Sequence, residues 1–212
     1  ANILDAEKVV IWKDVPGVMN ADPRYFKHSE KLKRISFQEA IELAYYGAKI
    51  LHPKTIKPLQ NKSIPLHVKS FLEPENEGTL IGEYKSYDED KPIFILKKDQ
   101  ILISVLPRDF SFVFEETLSR IYSLFAKYRI KVNLVQNSAI NFTFCADEKS
   151  QYIYQLIEDL REDYRVLYNT GLELLTIRHY NEQILENAQE GRRILVEQRS
   201  RHTAQLLMDT VD

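Results

Sequence analysis

A single cysteine, Cys145, excludes an internal disulfide, and its place in an apolar run makes a small buried thiol the expected state. Charge of one sign is also missing. The chain has 29 basic against 31 acidic residues and a net charge of -2, so it lacks the electrostatic footprint of a nucleic-acid or anionic-membrane binder. No apolar run reaches the roughly 18 residues of a membrane span, and the N-terminus lacks the basic and apolar regions of a signal peptide. The cytoplasm is therefore the expected location, without membrane or nucleic-acid partners. His52 has no second His or carboxylate at ligand spacing, so no metal site is expected. What remains is ordinary globular material. Its hydrophobic content of 44% suits one large domain or two small ones over 212 residues. Small molecules or other protein chains are the expected partners.

The stretch with most chemical potential is IWKDVPGVMNADPR, Ile11 to Arg24. Val9, Val10, Ile11 and Trp12 read as a buried strand, and ligands of open α/β sheets gather beyond the carboxyl ends of such strands. Asp14 stands at that exit. Pro16-Gly17 suits the central positions of a type II turn that folds the chain back over the strand end, and Arg24 has the donor fork for a phosphate. A tight turn with solvated charges is the alternative.

Lys27 to Arg34 reads as a solvated connection. Ser36 and Glu39 form a capping box, with Ile35 and Ala40 as its hydrophobic staple. The helix that follows buries Phe37, Ala40, Ile41 and Ala44, and Gly47 fits the left-handed residue past its end. Lys49 then stands at a corner before a second helix opened by Pro53, with His52 as its cap. Ile64, Leu66 and Val68 alternate as a strand, and Thr79 to Ile81 follows a polar loop.

Taken together and in order, KDVPGVMNADPR, FQEAIELAYYGAKILHP and IPLHVKSFLEPENEGTLI resemble the C-terminal part of an aspartokinase catalytic domain. The resemblance implies nucleotide binding by Lys13, Asp14, Met19, Arg24, Lys49 and Ile50. Lys13 stands where many relatives carry Thr, and Met19 where an aromatic is common. The family's Lys-Phe-Gly-Gly-Thr and Gly-Arg-Gly-Gly-Ser-Asp segments are not in this sequence. No catalytic residue is therefore assigned, and these 212 residues are expected to be inactive by themselves. Ala1 to Ala6, with Ile3 and Leu4, reads as the inside of an amphipathic segment, so a fragment is expected.

The pattern changes at Gly82 to Lys98. The expected division is 1–82 for the end of the catalytic domain, 83–98 for a linker, 99–171 for one regulatory module and 172–212 for an abbreviated second. Within 99–171 the order strand (100–106), helix (112–128), strand (131–136), strand (140–146), helix (149–161), strand (165–168) is βαββαβ, with Phe114, Leu118, Ile121 and Phe125 on one helix face and Ile153, Leu156, Ile157 and Leu160 on the other. Leu172 to Tyr180 then reads as another opening strand, and VEQRSRHTAQLL (Val196 to Leu207) echoes LVQNSAINFTF (Leu134 to Phe144), each with Gln-x-Ser at a bend. The tandem resembles the paired ACT modules of aspartokinases. The expected fold class is thus α/β, a piece of an amino-acid-kinase domain, followed by α+β ferredoxin-like ACT modules.

That resemblance implies an amino-acid effector, lysine or threonine, held by Asp109, Phe110, Ser111, Val132, Asn133, Gln136 and Ser138. It also implies a homodimer formed through the ACT modules, Leu172 to Ile177, Ile194 to Val196 and Leu206 to Met208 being apolar positions in need of a neighbour. The parent activity implied is Mg-ATP-dependent phosphorylation of L-aspartate to 4-phospho-L-aspartate, which opens the lysine, threonine and methionine pathway. A non-catalytic, amino-acid-sensing regulatory subunit is the alternative, and the parent can be monofunctional or continue past Asp212 into a second enzyme.

Overall fold

A computed structural model of the chain describes residues 1, 3, 5–49, 51–84, 91–109 and 111–210. Ile50, Phe110 and Val211 lie outside the described residues, as do Leu4 and residues 85–90 of the expected linker. The described elements run β1 (Val9–Lys13), β2 (Arg34–Ser36), α1 (Phe37–Tyr46), α2 (Pro53–Gln60), β3 (Leu66–Ser70), β4 (Thr79–Gly82), β5 (Ile93–Pro107), α3 (Glu115–Tyr128), β6 (Val132–Asn137), β7 (Phe142–Asp147), α4 (Ile153–Asp163), β8 (Tyr164–Arg178), α5 (Glu182–Gln189), β9 (Ile194–Arg199) and β10 (Thr203–Asp209). They form two compact units, one of Ala1–Leu96, Leu175–Glu190 and Gln198–Ala204, the other of Lys97–Leu174, Gly191–Glu197 and Gln205–Asp212. Segment 172–212 contributes to both units.

In the first unit a four-stranded sheet has the order β1-β3-β4-β2, with β1 parallel to β3, β2 parallel to β4, and β3 antiparallel to β4. Leu66, Val68, Ile81 and Ile35 from its strands share a core with Phe37, Ala40 and Leu43 of α1 and Ile56 and Leu59 of α2. Local chemistry sets the helix ends. The Ser36 hydroxyl accepts from Glu39 N at 2.9 Å, and Gly47 closes α1 at φ 110°, where a side chain would be strained. His52 Nδ1 accepts from Lys54 N at 3.1 Å, and Pro53 occupies the first turn of α2.

Three expectations are corrected here. Only half of the capping box forms, because the Glu39 carboxylate is bonded to Arg178 instead. Gly17 takes φ 153°, far from the value a type II turn requires. And 27–34 is more than a solvated connection, because Leu32 is fully buried and β2 begins at Arg34.

The second unit draws on a six-stranded sheet of order β6-β7-β5-β8-β10-β9. The first four strands with α3 and α4 make the expected βαββαβ module, β7 pairing antiparallel with both β5 and β6. Phe125 and Ile121 of α3 and Ile153, Leu156, Ile157 and Leu160 of α4 pack with Ile101, Ile103, Phe142 and Phe144 of the sheet. The expected linker 83–98 is partly strand, because β5 begins at Ile93 and runs on through the expected strand 100–106, and the strands expected as separate at 165–168 and 172–180 are one strand, β8. The apolar positions expected to need a neighbour are covered within the chain: Leu172 and Leu174 join Leu102, Leu134, Cys145, Val196 and Leu207 in one cluster.

The Gln-x-Ser echo is a true structural repeat. Ser138 N donates to Asn141 O at 2.8 Å at the β6–β7 bend, and Ser200 N donates to Thr203 O at 2.8 Å at the β9–β10 bend. The two hydroxyls donate to the same carbonyls, each at 3.3 Å.

Cys145 is fully buried on β7 and donates to Gln100 Oε1 at 3.4 Å, and burial, with the nearby Asp147 charge, pushes its thiol up to about 12. It should be inert: no thiol titrates with an aromatic disulfide reagent at pH 8 in native buffer, and one per chain reacts in denaturant. Rapid native labelling would contradict the placement.

Candidate functional site

The candidate site lies beyond the end of β1. Phe71 N donates to Lys13 O at 2.8 Å, so the strand end is held in the sheet as the chain leaves it. The loop that follows is then clamped by one side chain: Thr79 Oγ1 accepts from Val18 N at 2.8 Å and donates to Leu32 O at 2.6 Å, all buried. Gly17 fits beneath this clamp because a Cβ there would strike the same hydroxyl, and its φ is positive. Past the clamp, Leu32 N donates to Val18 O and Asn20 N to Glu30 O, both at 2.8 Å, while Met19 and Lys31 form a bridge between them. Asn20 ties the loop down further, its Oδ1 accepting from Glu30 N at 2.7 Å and its Nδ2 donating to Pro92 O at 3.2 Å.

This frame presents cations. Lys13 Nζ donates to Lys49 O at 3.4 Å, which brings the strand exit and the corner after α1 together. Arg24 grips Asp22 with both edges of its fork, Nε to Oδ1 at 3.0 Å and Nη2 to Oδ2 at 2.6 Å, while its own N donates to Asp22 Oδ1 at 3.0 Å. The Arg24 hydrogen bond holds the Asp22 carboxyl below its usual range, and the charge of Lys49 adds to this. Asp14, Arg24 and Lys49 are exposed, and Lys13 and Met19 are half-buried. Asp22 escaped the sequence reading, although its spacing two residues before Arg24 is that of a local carboxylate–guanidinium pair. Among the described residues no group of three or more His, Cys, Asp or Glu converges as metal ligands.

The expected effector residues divide. Asp109 accepts from Ser111 N at 3.0 Å, and the Ser111 hydrogen bonds hold its carboxyl below the usual range. Val113 N donates to Ala139 O at 2.8 Å, which joins this loop to the bend carrying Ser138. In that bend Asn141 Oδ1 is buried with no hydrogen-bond partner among the described residues. Gln136 is exposed on β6, and Val132 is half-buried beside Ala146. Asn133 faces a polar cluster. Its Oδ1 accepts from Lys97 Nζ at 2.7 Å, and its Nδ2 donates to Gln100 Oε1 at 2.8 Å and Asp147 Oδ1 at 2.9 Å. Burial pushes the Lys97 ammonium down, and the hydrogen bonds from Gln100 and Asn133, with the nearby lysines, outweigh burial and hold Asp147 low.

A strand-end cation site beside a helix pair, followed by a βαββαβ module, defines the class. Residues 1–70 match the amino acid kinase family. The chain belongs with the aspartokinases of that family. It is 34% identical over 174 residues to a bifunctional aspartokinase/homoserine dehydrogenase of Buchnera aphidicola, covering 81% of this chain and 21% of that protein. It is 36% identical over 165 residues to aspartokinase 2 of Bacillus subtilis, covering 74% of this chain and 40% of the relative. Among solved structures, E. coli aspartokinase III in complex with lysine and aspartate aligns with a TM-score of 0.80 at 25% identity, over 98% of this chain and 49% of that one. The chain thus spans less than half the length of these relatives.

Proposed function

We propose that this chain supplies the nucleotide side and the regulatory modules of an aspartokinase, which transfers the γ-phosphoryl group of Mg-ATP to the β-carboxylate of L-aspartate under amino-acid feedback. The observation that carries the reading is the Lys13 side chain meeting the Lys49 carbonyl at the exit of β1, with Arg24 held by Asp22 on the loop that follows. Such a transfer is mostly positioning and charge neutralisation, and cationic donors on a clamped loop suit a nucleotide's phosphates. Arg24 is preset by Asp22, so its outward donors are oriented before any ligand arrives. Lys49 follows the glycine-closed end of α1 and meets the Lys13 side chain through its carbonyl, so each fixes the other. Magnesium would enter with the nucleotide.

The regulatory half of the reading rests on the junction of the 107–113 loop with the 138–141 bend, where an α-amino acid would meet Asp109 and Ser138. Lysine and threonine are the candidate effectors. Self-association through the modules is also part of the proposal, supported by the exposed side chains of Phe112, Phe114, Tyr122 and Ile140.

Equilibrium binding of ADP tests the nucleotide side. Lys49→Ala should weaken ADP binding about tenfold or more, the worth of one charge-assisted contact of roughly 1.5–3 kcal/mol. Unchanged affinity would remove the site from the reading.

A further inference from the structure

The regulatory half of that reading leaves the kind of amino acid open, and the polar groups of the βαββαβ module narrow it. The residues expected to hold an effector fall at opposite ends of β6. Asn133 and Ser138 stand five positions apart along the strand and its exit, about 16 Å in extended chain, which is farther than one amino acid reaches. The two ends are therefore separate sites.

The Asn133 end is shaped for an ammonium and already holds one. The ladder of β6 with β7 pairs Val132 with Ala146 and Leu134 with Cys145, so Asn133 is the extra residue of a bulge and its amide is re-aimed into the polar cluster. There its Oδ1 accepts from Lys97 Nζ at 2.7 Å. Half-buried Asp147, whose Oδ1 accepts from Gln100 and Asn133 at 2.9 Å each, supplies the negative charge nearby. Lys97 is thus the chain's own occupant. A second cation would meet the charges of both Lys97 and Lys131, each of which already acts on this cluster.

The Asp109 end offers different chemistry. Its loop is joined to the bend through the bond from Val113 N to Ala139 O, and the Asp109 carboxylate suits the α-ammonium that every amino acid carries. That leaves no anion of the loop for a second ammonium. The next carboxylates along the chain, Glu115 and Glu116, stand in the first turn of α3, where the helix dipole favours them. What the bend does present is an acceptor. Asn141 Oδ1 is buried without a hydrogen-bond partner among the described residues, while Asn141 as a residue is only half-buried and Ser138 to Ile140 before it are exposed. The Ser138 hydroxyl does not fill the vacancy, because it donates to the Asn141 backbone carbonyl at 3.3 Å. A neutral amide oxygen in that state is matched by a donor without charge, such as a ligand hydroxyl.

We infer that the regulatory site takes a small uncharged amino acid with a side-chain hydroxyl, received by Asn141, and that Lys97 closes the module to a cationic one. The inference rests on the regulatory reading above and narrows its two candidate effectors to the one with a neutral side chain.

Calorimetric titration of the whole 212-residue chain tests this with L-threonine, L-2-aminobutyrate, which lacks only the hydroxyl, and L-lysine. Threonine should bind saturably at one site per chain, and the other two more weakly by about tenfold or more. Asn141→Ala should bring threonine and 2-aminobutyrate within about twofold of each other, whereas a merely structural asparagine would lower both alike. Its melting temperature should not fall, because the variant loses an unpaired acceptor. Lys97→Ala vacates the cluster, so lysine should bind that variant about tenfold or more tightly than the unaltered chain, without displacing threonine, while Lys97→Arg keeps the cluster closed. The inference fails if lysine binds the unaltered chain as tightly as threonine, if Asn141→Ala keeps the preference for the hydroxyl, or if Lys97→Ala gains no lysine binding. Tight binding of lysine alone would overturn it and leave the regulatory reading standing, whereas binding of none of the three would remove both.

Discussion

Arg178→Ala is expected to cost about 3–5 kcal/mol of stability, read as a lower urea midpoint followed by Trp12 fluorescence in the same unit. Arg178 is 9% exposed and Glu39 5%, and the pair is bidentate, with Nε to Oε1 at 2.9 Å and Nη2 to Oε2 at 2.6 Å. The remaining Arg178 nitrogen donates to Thr203 Oγ1 at 2.8 Å, and His179 Nε2 approaches Glu39 Oε1 at 3.3 Å. Removing the guanidinium strands a buried carboxylate, and that penalty exceeds the worth of the pair itself. Replacing both partners, as in Glu39→Leu with Arg178→Met, should therefore destabilise less than Arg178→Ala alone. A loss below about 1 kcal/mol for the single variant would show that water reaches the carboxylate.

The same pair sets an acid limit. Burial by itself would push the Glu39 carboxyl up, but hydrogen bonds from His179 and Arg178, with their charges, outweigh it and bring the value from 4.5 down to about 2. A depressed carboxylate stabilises the folded state above its unfolded value, and the contribution fades as pH falls from about 4.5 towards 2. The amount is about 3 kcal/mol at most, and it should be missing from the acid titration of a Glu39→Gln chain.

Thr79→Val is the second large effect, expected at about 2–4 kcal/mol. The change keeps the shape and removes a hydroxyl that serves Val18 N and Leu32 O at once, so a buried donor and a buried acceptor lose their partner together. The loss falls on the loop that carries Met19, Asp22 and Arg24, so ADP binding should weaken along with stability. Thr79→Ser restores the hydroxyl and should recover most of both. Hydrogen exchange at Val18 offers the closest check, because its amide should lose protection in Thr79→Val and regain it in Thr79→Ser. Full protection in the valine variant would show that another group holds the loop.

How much of this was open to reading from sequence follows from distance along the chain. Ser36, Gly47, His52 and Pro53 act within a few residues of themselves, so the ends of α1 and α2 follow from propensity and capping. The periodicities of Ile121 to Phe125 and Ile153 to Leu160 likewise disclosed the βαββαβ order, and Gln-x-Ser marked two bends with the same hydrogen bonds. Lys13 and Lys49 were both expected at a nucleotide site, although their contact spans 36 positions, because the family resemblance placed both there.

The rest required through-space partners. Glu39 reads as the second half of a capping box, yet a guanidinium 139 residues away outcompetes the backbone amide for it, because a charge-assisted bidentate pair is stronger than one neutral hydrogen bond. Asn133 looks like an available amide at a strand end, but Lys97, Gln100 and Asp147 converge on it from β5 and β7. Leu32 sits in a charged run and is buried nonetheless, since Thr79 draws its carbonyl into the sheet. Sequence by itself determined the helices, their caps, the module order and the family. Tertiary structure alone decided which polar groups are already satisfied and which face the solvent, because a buried charge takes its partner from whatever the fold brings within reach, at any separation along the chain.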